Sequence, residues 1–136
     1  MTPVTFFGAN SRWEHALAQS DKGVTFFDNT LVRLLLVISL LPVIVGFGLL
    51  AYFIRPSEAS LVLHYNVYFG VDLLGIWWQA YIFPFLGLFF LTGHFFLAKR
   101  FYKSAERIAS YLVLLASGML SFGALIASIS IAFINY

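Results

Sequence analysis

The stretch LLLVISLLPVIVGFGLLAYFI, residues 34–54, contains no charged side chain, and two more uncharged runs follow it: Ile76 to Ala98 and Ser110 to Tyr136. At 1.5 Å rise per residue, about twenty apolar residues in a helix cross the roughly 30 Å hydrocarbon layer of a bilayer. Water is absent there, so a spanning segment must satisfy its own backbone, and a single segment can do so only as a helix. The expected fold is therefore an all-α membrane protein with three transmembrane helices and a short extended extracytoplasmic loop. Its sections are a tail over 1–33, spans over 34–54, 76–98 and 110–136, a loop over 55–75 and a basic link over 99–109.

Composition points the same way. Of 136 residues, 61% are hydrophobic and only 10% charged, too few charges to cover the surface of a soluble domain. The chain is long enough for one domain. Its net charge of +2 does not indicate a nucleic-acid partner, because the basic residues flank the spans and form no patch with exposed aromatics. The absence of cysteine excludes disulfides, thiolate metal sites and thiol nucleophiles. The first apolar run is too long for a signal-peptide core and has mixed residues before it, so it is expected to remain as an anchor.

Basic residues set the expected orientation. Arg12, Lys22 and Arg33 precede the first span and Lys99, Arg100, Lys103 and Arg107 join the second to the third, whereas the other loop holds only Arg55. With three spans, the tail and the basic link share one side, which the positive-inside rule assigns to the cytoplasm. The loop from Arg55 to Gly75 and Tyr136 then lie outside, in a cell (inner) membrane of bacterial type. Trp77, Trp78 and Tyr81 read as anchors at the outer interface, and Tyr102 and Tyr111 mark the inner one.

Within these segments, Trp13, Ala16 and Leu17 give a narrow apolar face over Arg12–Gln19, which reads either as a short surface helix or as a poorly ordered tail. Asn29 or Thr30 is placed to cap the first span. Pro42 and Pro84 each remove a helical hydrogen bond and are expected to bend their helices. In the third span Ser117, Ser121, Ala124 and Ser128 form one small-residue stripe, and Ala116, Gly123, Ala127 and Ser130 another. Small side chains let helices meet closely in lipid, so these stripes serve packing within the bundle, a homo-oligomer, or contact with another membrane protein. The link around Lys103, Glu106 and Arg107 is expected to continue the second span as a helix before the chain turns.

The loop contains the candidate site. Leu63, Tyr65, Val67 and Phe69 alternate with Val62, His64, Asn66 and Tyr68, a period-two pattern that predicts an extended segment needing backbone partners. Gly70 suits a turn, and Asp72 is positioned to cap the second span. His64 and Asp72 are two metal-compatible ligands with only a distant Glu58 as a third, short of the three or four protein ligands of a zinc site. His64, Asn66, Gly70 and Asp72 are therefore read as a loop interaction or structural site. Catalytic, cofactor and metal roles are assigned to no residue: the chain offers no nucleophile triad, carboxylate pair or phosphate loop on one side of the membrane.

Pro56, His64, Asn66, Gly70, Asp72 and Pro84 form a pattern that resembles the domain of unknown function at the start of Sdp-type toxin-immunity membrane proteins. The loop also resembles that of small uncharacterised bacterial three-span proteins. In this chain Gly70 stands one place later after the histidine, and no basic residue precedes the second span. The resemblance implies an immunity or signalling role carried by His64, Asn66 and Asp72. The functional expectation is thus a non-enzymatic accessory, immunity or interaction protein. The alternative is a small-solute or ion-conducting oligomer or transporter subunit, although the central turns of all three spans lack the ionisable groups that mark such paths. Reporter fusions at Ser20 and at Ser104 are expected to report the same compartment, and opposite compartments would overturn the three-span topology.

Overall fold

The computed structural model describes residues 24–136, so the Arg12–Gln19 segment lies outside the described residues. Three helices of spanning length carry the fold: α1 (Thr30–Phe53), α2 (Ile82–Lys103) and α3 (Arg107–Ile134). A 3₁₀ turn, Trp77–Tyr81, leads directly into α2 and makes a 27-residue apolar span with it. Between α1 and that turn lies an antiparallel hairpin of β1 (Leu61–Asn66) and β2 (Gly70–Gly75). The chain is a multi-pass membrane protein whose described residues form three spanning helices and one short hairpin.

The helices begin and end where local chemistry dictates. Asn29 caps α1, its Oδ1 accepting from the amides of Leu31 at 2.9 Å and Val32 at 3.3 Å, so the helix starts four residues before the uncharged run does. The α2 helix runs on through the basic residues to Lys103 and ends in a Schellman turn, with the Glu106 amide donating to Phe101 O and the Ala105 amide to Tyr102 O. Ala105 occupies the position usually held by glycine, at φ 62°. A left-handed alanine costs about 1–2 kcal/mol, which the turn offsets by satisfying two carbonyls and returning the chain at once into α3. The link expected over 99–109 is therefore mostly helix, broken only at Ser104–Glu106.

The two prolines behave differently. Pro42 lies inside α1 and is buried. Pro84 falls in the first turn of α2, immediately after the 3₁₀ segment, where an α-helix has no intrahelical use for the missing amide. It stands just past the change from 3₁₀ to α winding.

α1 and α3 run parallel, with α2 antiparallel to both. α3 is the central element, packing along the full length of each neighbour, while α1 and α2 touch each other much less. Hydrophobic clusters fill the two ends of the bundle: Val32, Ala98, Tyr102 and Leu114 near the basic link, and Leu50, Ile54, Ala80 and Ile131 near the hairpin. The middle is a narrow waist of small residues. A methyl group built on Gly118 would lie 3.2 Å from Ser39 Oγ, one on Gly87 3.2 Å from Ala124 Cβ, and one on Gly46 3.3 Å from Ser128 Oγ. Ser39 also donates to Leu35 O at 2.7 Å and reaches Leu114 O of α3 at 3.3 Å, a hydrogen bond between helices. The Ser117, Ser121 and Ser128 stripe is thereby buried inside the bundle, whereas Ala116, Gly123 and Ser130 remain on its outer surface.

Gly46 and Gly48 lie two residues apart on α1, yet a side chain at Gly48 would meet nothing within 4 Å. Gly46→Leu is expected to lower unfolding stability in detergent by about 1–3 kcal/mol, the usual cost of overpacking, and Gly48→Leu by less than about 0.5 kcal/mol. Equal losses in a denaturant titration would show that the waist is not held by close approach.

Candidate functional site

The expected extended segment pairs with itself. Leu61 faces Gly75, Tyr65 faces Val71 and Asn66 faces Gly70, with register shifts on either side of His64. Those irregularities break the simple alternation and turn His64 and Asp72 onto one side of the hairpin, where His64 Nδ1 donates to Asp72 Oδ1 at 2.7 Å. Asp72 is thus in β2 and does not cap the second span. That role belongs to Gln79, whose Oε1 accepts from the Ile76 amide at 2.8 Å. The reason is distance along the chain: Asp72 is four residues before the 3₁₀ cap, while Gln79 lies one turn beyond it and can fold back.

Asn66 and Gly70 form the tip. Asn66 Oδ1 accepts from the Tyr68 amide at 2.8 Å, an Asx turn, and Gly70 adopts φ 79°, which a side chain would oppose. Between them Val67, Tyr68 and Phe69 are 84%, 91% and 84% exposed, the barest run of large apolar side chains outside the spans among the described residues. All four residues expected to shape the loop lie in one hairpin, and their contacts hold its conformation. Both side chains of the His64–Asp72 pair are more than a third open to solvent, so the pair contributes about 0.2–1 kcal/mol. Among the described residues no third histidine, cysteine or carboxylate joins them to form a metal-binding group.

What fixes the hairpin to the membrane domain is a residue to which the sequence reading gave no role. Asn135, at the carboxyl end of α3, accepts from the Val62 amide at 2.8 Å and donates to Val62 O at 2.7 Å, holding both backbone groups of one β1 residue. The same amide group donates to Ile131 O at 2.8 Å and so finishes its own helix. Leu61 and Leu63 then pack on the cluster of Leu50, Ile54, Ala80 and Ile131. Trp77 and Tyr81 also pack against this cluster, whereas Trp78 faces outward at the start of the span. An asparagine at the end of an apolar run was the available sequence signal.

A second asparagine ties the opposite end. Besides capping α1, Asn29 donates through Nδ2 to Tyr111 Oη at 2.7 Å and to Tyr102 Oη at 3.1 Å. Tyr102 in turn donates to Val24 O at 2.9 Å, joining the chain before α1 to the end of α2. The basic residues Lys99, Arg100, Lys103 and Arg107 surround this knot on the last turns of α2 and the first of α3. Comparison of the chain with protein-family models, curated proteins and solved structures gives no match.

Asn135→Ala removes two hydrogen bonds to Val62, each contributing about 0.5–1.5 kcal/mol. Amide exchange across Leu61–Asn66 is expected to accelerate about tenfold or more in this variant, and by less than about fivefold in Asp72→Asn. The reverse order would make the His64–Asp72 pair the principal hold on the hairpin.

Proposed function

We propose that this chain is a non-enzymatic accessory, immunity or interaction protein of a bacterial inner membrane, with its basic end in the cytoplasm and its hairpin outside. The observation that carries this reading is the hairpin: a conformationally fixed element, held to the helix ends by Asn135, that presents Val67, Tyr68 and Phe69 bare at its tip. Exposed aromatic side chains on a rigid support match the composition of interaction hot spots, where large rings bury much area at little entropic cost. A loop serving only to connect two spans has no need of such a tip. The His64–Asp72 pair acts as a brace for this surface, and the resemblance of its residues to the toxin-immunity loop supports an extracytoplasmic protein partner. The orientation rests on the asymmetry between the four cations of the link and the lone Arg55.

The conducting-oligomer reading draws less support, because the serines that would line a path lie inside the bundle against α1 and α2. Purification in mild detergent is expected to recover a membrane partner with the native chain. A Val67→Ser, Tyr68→Ser, Phe69→Ser variant is expected to lose that partner while keeping its helical content. A partner-free monomer whose deletion leaves the cell unchanged would overturn the proposal.

A further inference from the structure

The basic end contains more than a topology signal. Two recesses of about 480 Å³ each meet on it, sharing Lys99 and Lys103; one is completed by Arg107 beside Phe26 and Phe27, and the other by Arg100 beside Phe96. Four cations therefore stand on two consecutive helix turns and the start of α3, at the edge of an apolar span.

Among the described residues, that charge is left open. The only ion pair among the described residues is His64–Asp72 at the other end of the molecule, so none of the four meets a carboxylate of the described residues within salt-bridge distance. Two are steadied by aromatic faces instead: Lys99 Nζ lies 5.7 Å from the centre of the Phe27 ring and the Arg107 guanidinium 5.5 Å from that of Tyr102. A ring face orients a cation without neutralising it, leaving its N–H groups free to donate. The nearby carboxylates are Asp28, which accepts from Thr25 Oγ1 at 2.5 Å, and Glu106, which is exposed. Among the described residues, these two carboxylates stand near the four cations without pairing with them.

We infer that these joined recesses seat the headgroup of an anionic phospholipid, with Lys99, Arg100, Lys103 and Arg107 donating to its phosphodiester. Charge complementarity selects a phosphate, and position selects a lipid: Phe27 and Phe96 supply exposed apolar surface beside the charges, where glycerol and the first acyl carbons would lie. A soluble phosphate would leave that aromatic surface wet. This inference depends on the membrane fold and not on the proposed role of the hairpin.

The test is native mass spectrometry of the full chain in detergent, titrated with dioleoyl phosphatidylglycerol or dioleoyl phosphatidylcholine. Phosphatidylglycerol is expected to remain bound at concentrations where phosphatidylcholine does not. Lys99→Gln/Lys103→Gln is expected to weaken its retention about thirtyfold, at about fivefold per charge removed near a membrane surface. Lys99→Arg/Lys103→Arg and Arg55→Gln are expected to retain it as the native chain does. Should the first variant lose helicity, Arg100→Gln/Lys103→Gln, which alters only exposed side chains, is expected to show the same loss. Equal retention of the two lipids, or native retention in a folded glutamine variant, would overturn the assignment. So would a rise in thermal midpoint with inorganic phosphate alone matching that with phosphatidylglycerol, since the ligand would then be a soluble anion.

Discussion

Helices in lipid gain nothing from hiding apolar surface from one another, because the acyl chains around them are equally apolar. What holds these three together must be close contact, and close contact requires that something be missing from the helix surfaces. Gly118 receives Ser39, Gly46 receives Ser128, and Gly87 receives Ala124 and Val43. At this waist the backbones approach near enough for dispersion between many atoms to accumulate and for Ser39 to reach a carbonyl of the neighbouring helix. Because α3 supplies the small partner to both of its neighbours, it is the element on which the bundle is assembled. Hydrophobic clusters pack the bundle on either side of this waist.

Close packing alone would allow α1 to slide along α3, since a row of small residues offers several similar registers. The asparagines at the ends remove that freedom. Asn29 fixes the start of α1 to tyrosines on both other helices, and Asn135 fixes the end of α3 to the strand that follows α1. Each sits where a helix terminus leaves backbone groups unpaired, so one amide side chain both completes its own helix and bridges to another element. An aspartate could accept at either position but could not donate to Tyr111 or to Val62 O. The choice of amide over carboxylate therefore follows from the need to do both.

The sequence made the spans legible because a charge-free run of about twenty residues has few other structural explanations. It made Asn29 legible as a cap and Gly70 as a turn for the same kind of reason: each is a local demand met by a characteristic residue. The misses share another cause. The Schellman turn after α2 holds Ala105 where glycine is the usual sign, so the turn expected within 99–109 had no marker for its exact place. Asp72 has the chemistry of a helix cap, but the irregular register around His64 gave it a closer partner across the hairpin. Asn135 lies far along the chain from Val62, and nothing in a linear pattern connects them.

Charge is arranged in the molecule as strictly as size. The central turns of the three helices have no ionisable side chain, and His94, about a turn and a half from Lys99, has its Nδ1 engaged with Phe90 O at 2.7 Å. All other titratable chemistry lies at the two ends, and the ends differ in kind. One presents cations set over aromatic rings, with their donors open; the other presents an apolar tip braced by a single exposed ion pair. A protein built to move a charge through the bilayer would need polar groups between these ends, and keeping them there would cost several kcal/mol of desolvation each unless partners were supplied. Here the interior polar groups are serine hydroxyls, small enough to be accommodated by the close packing they make possible.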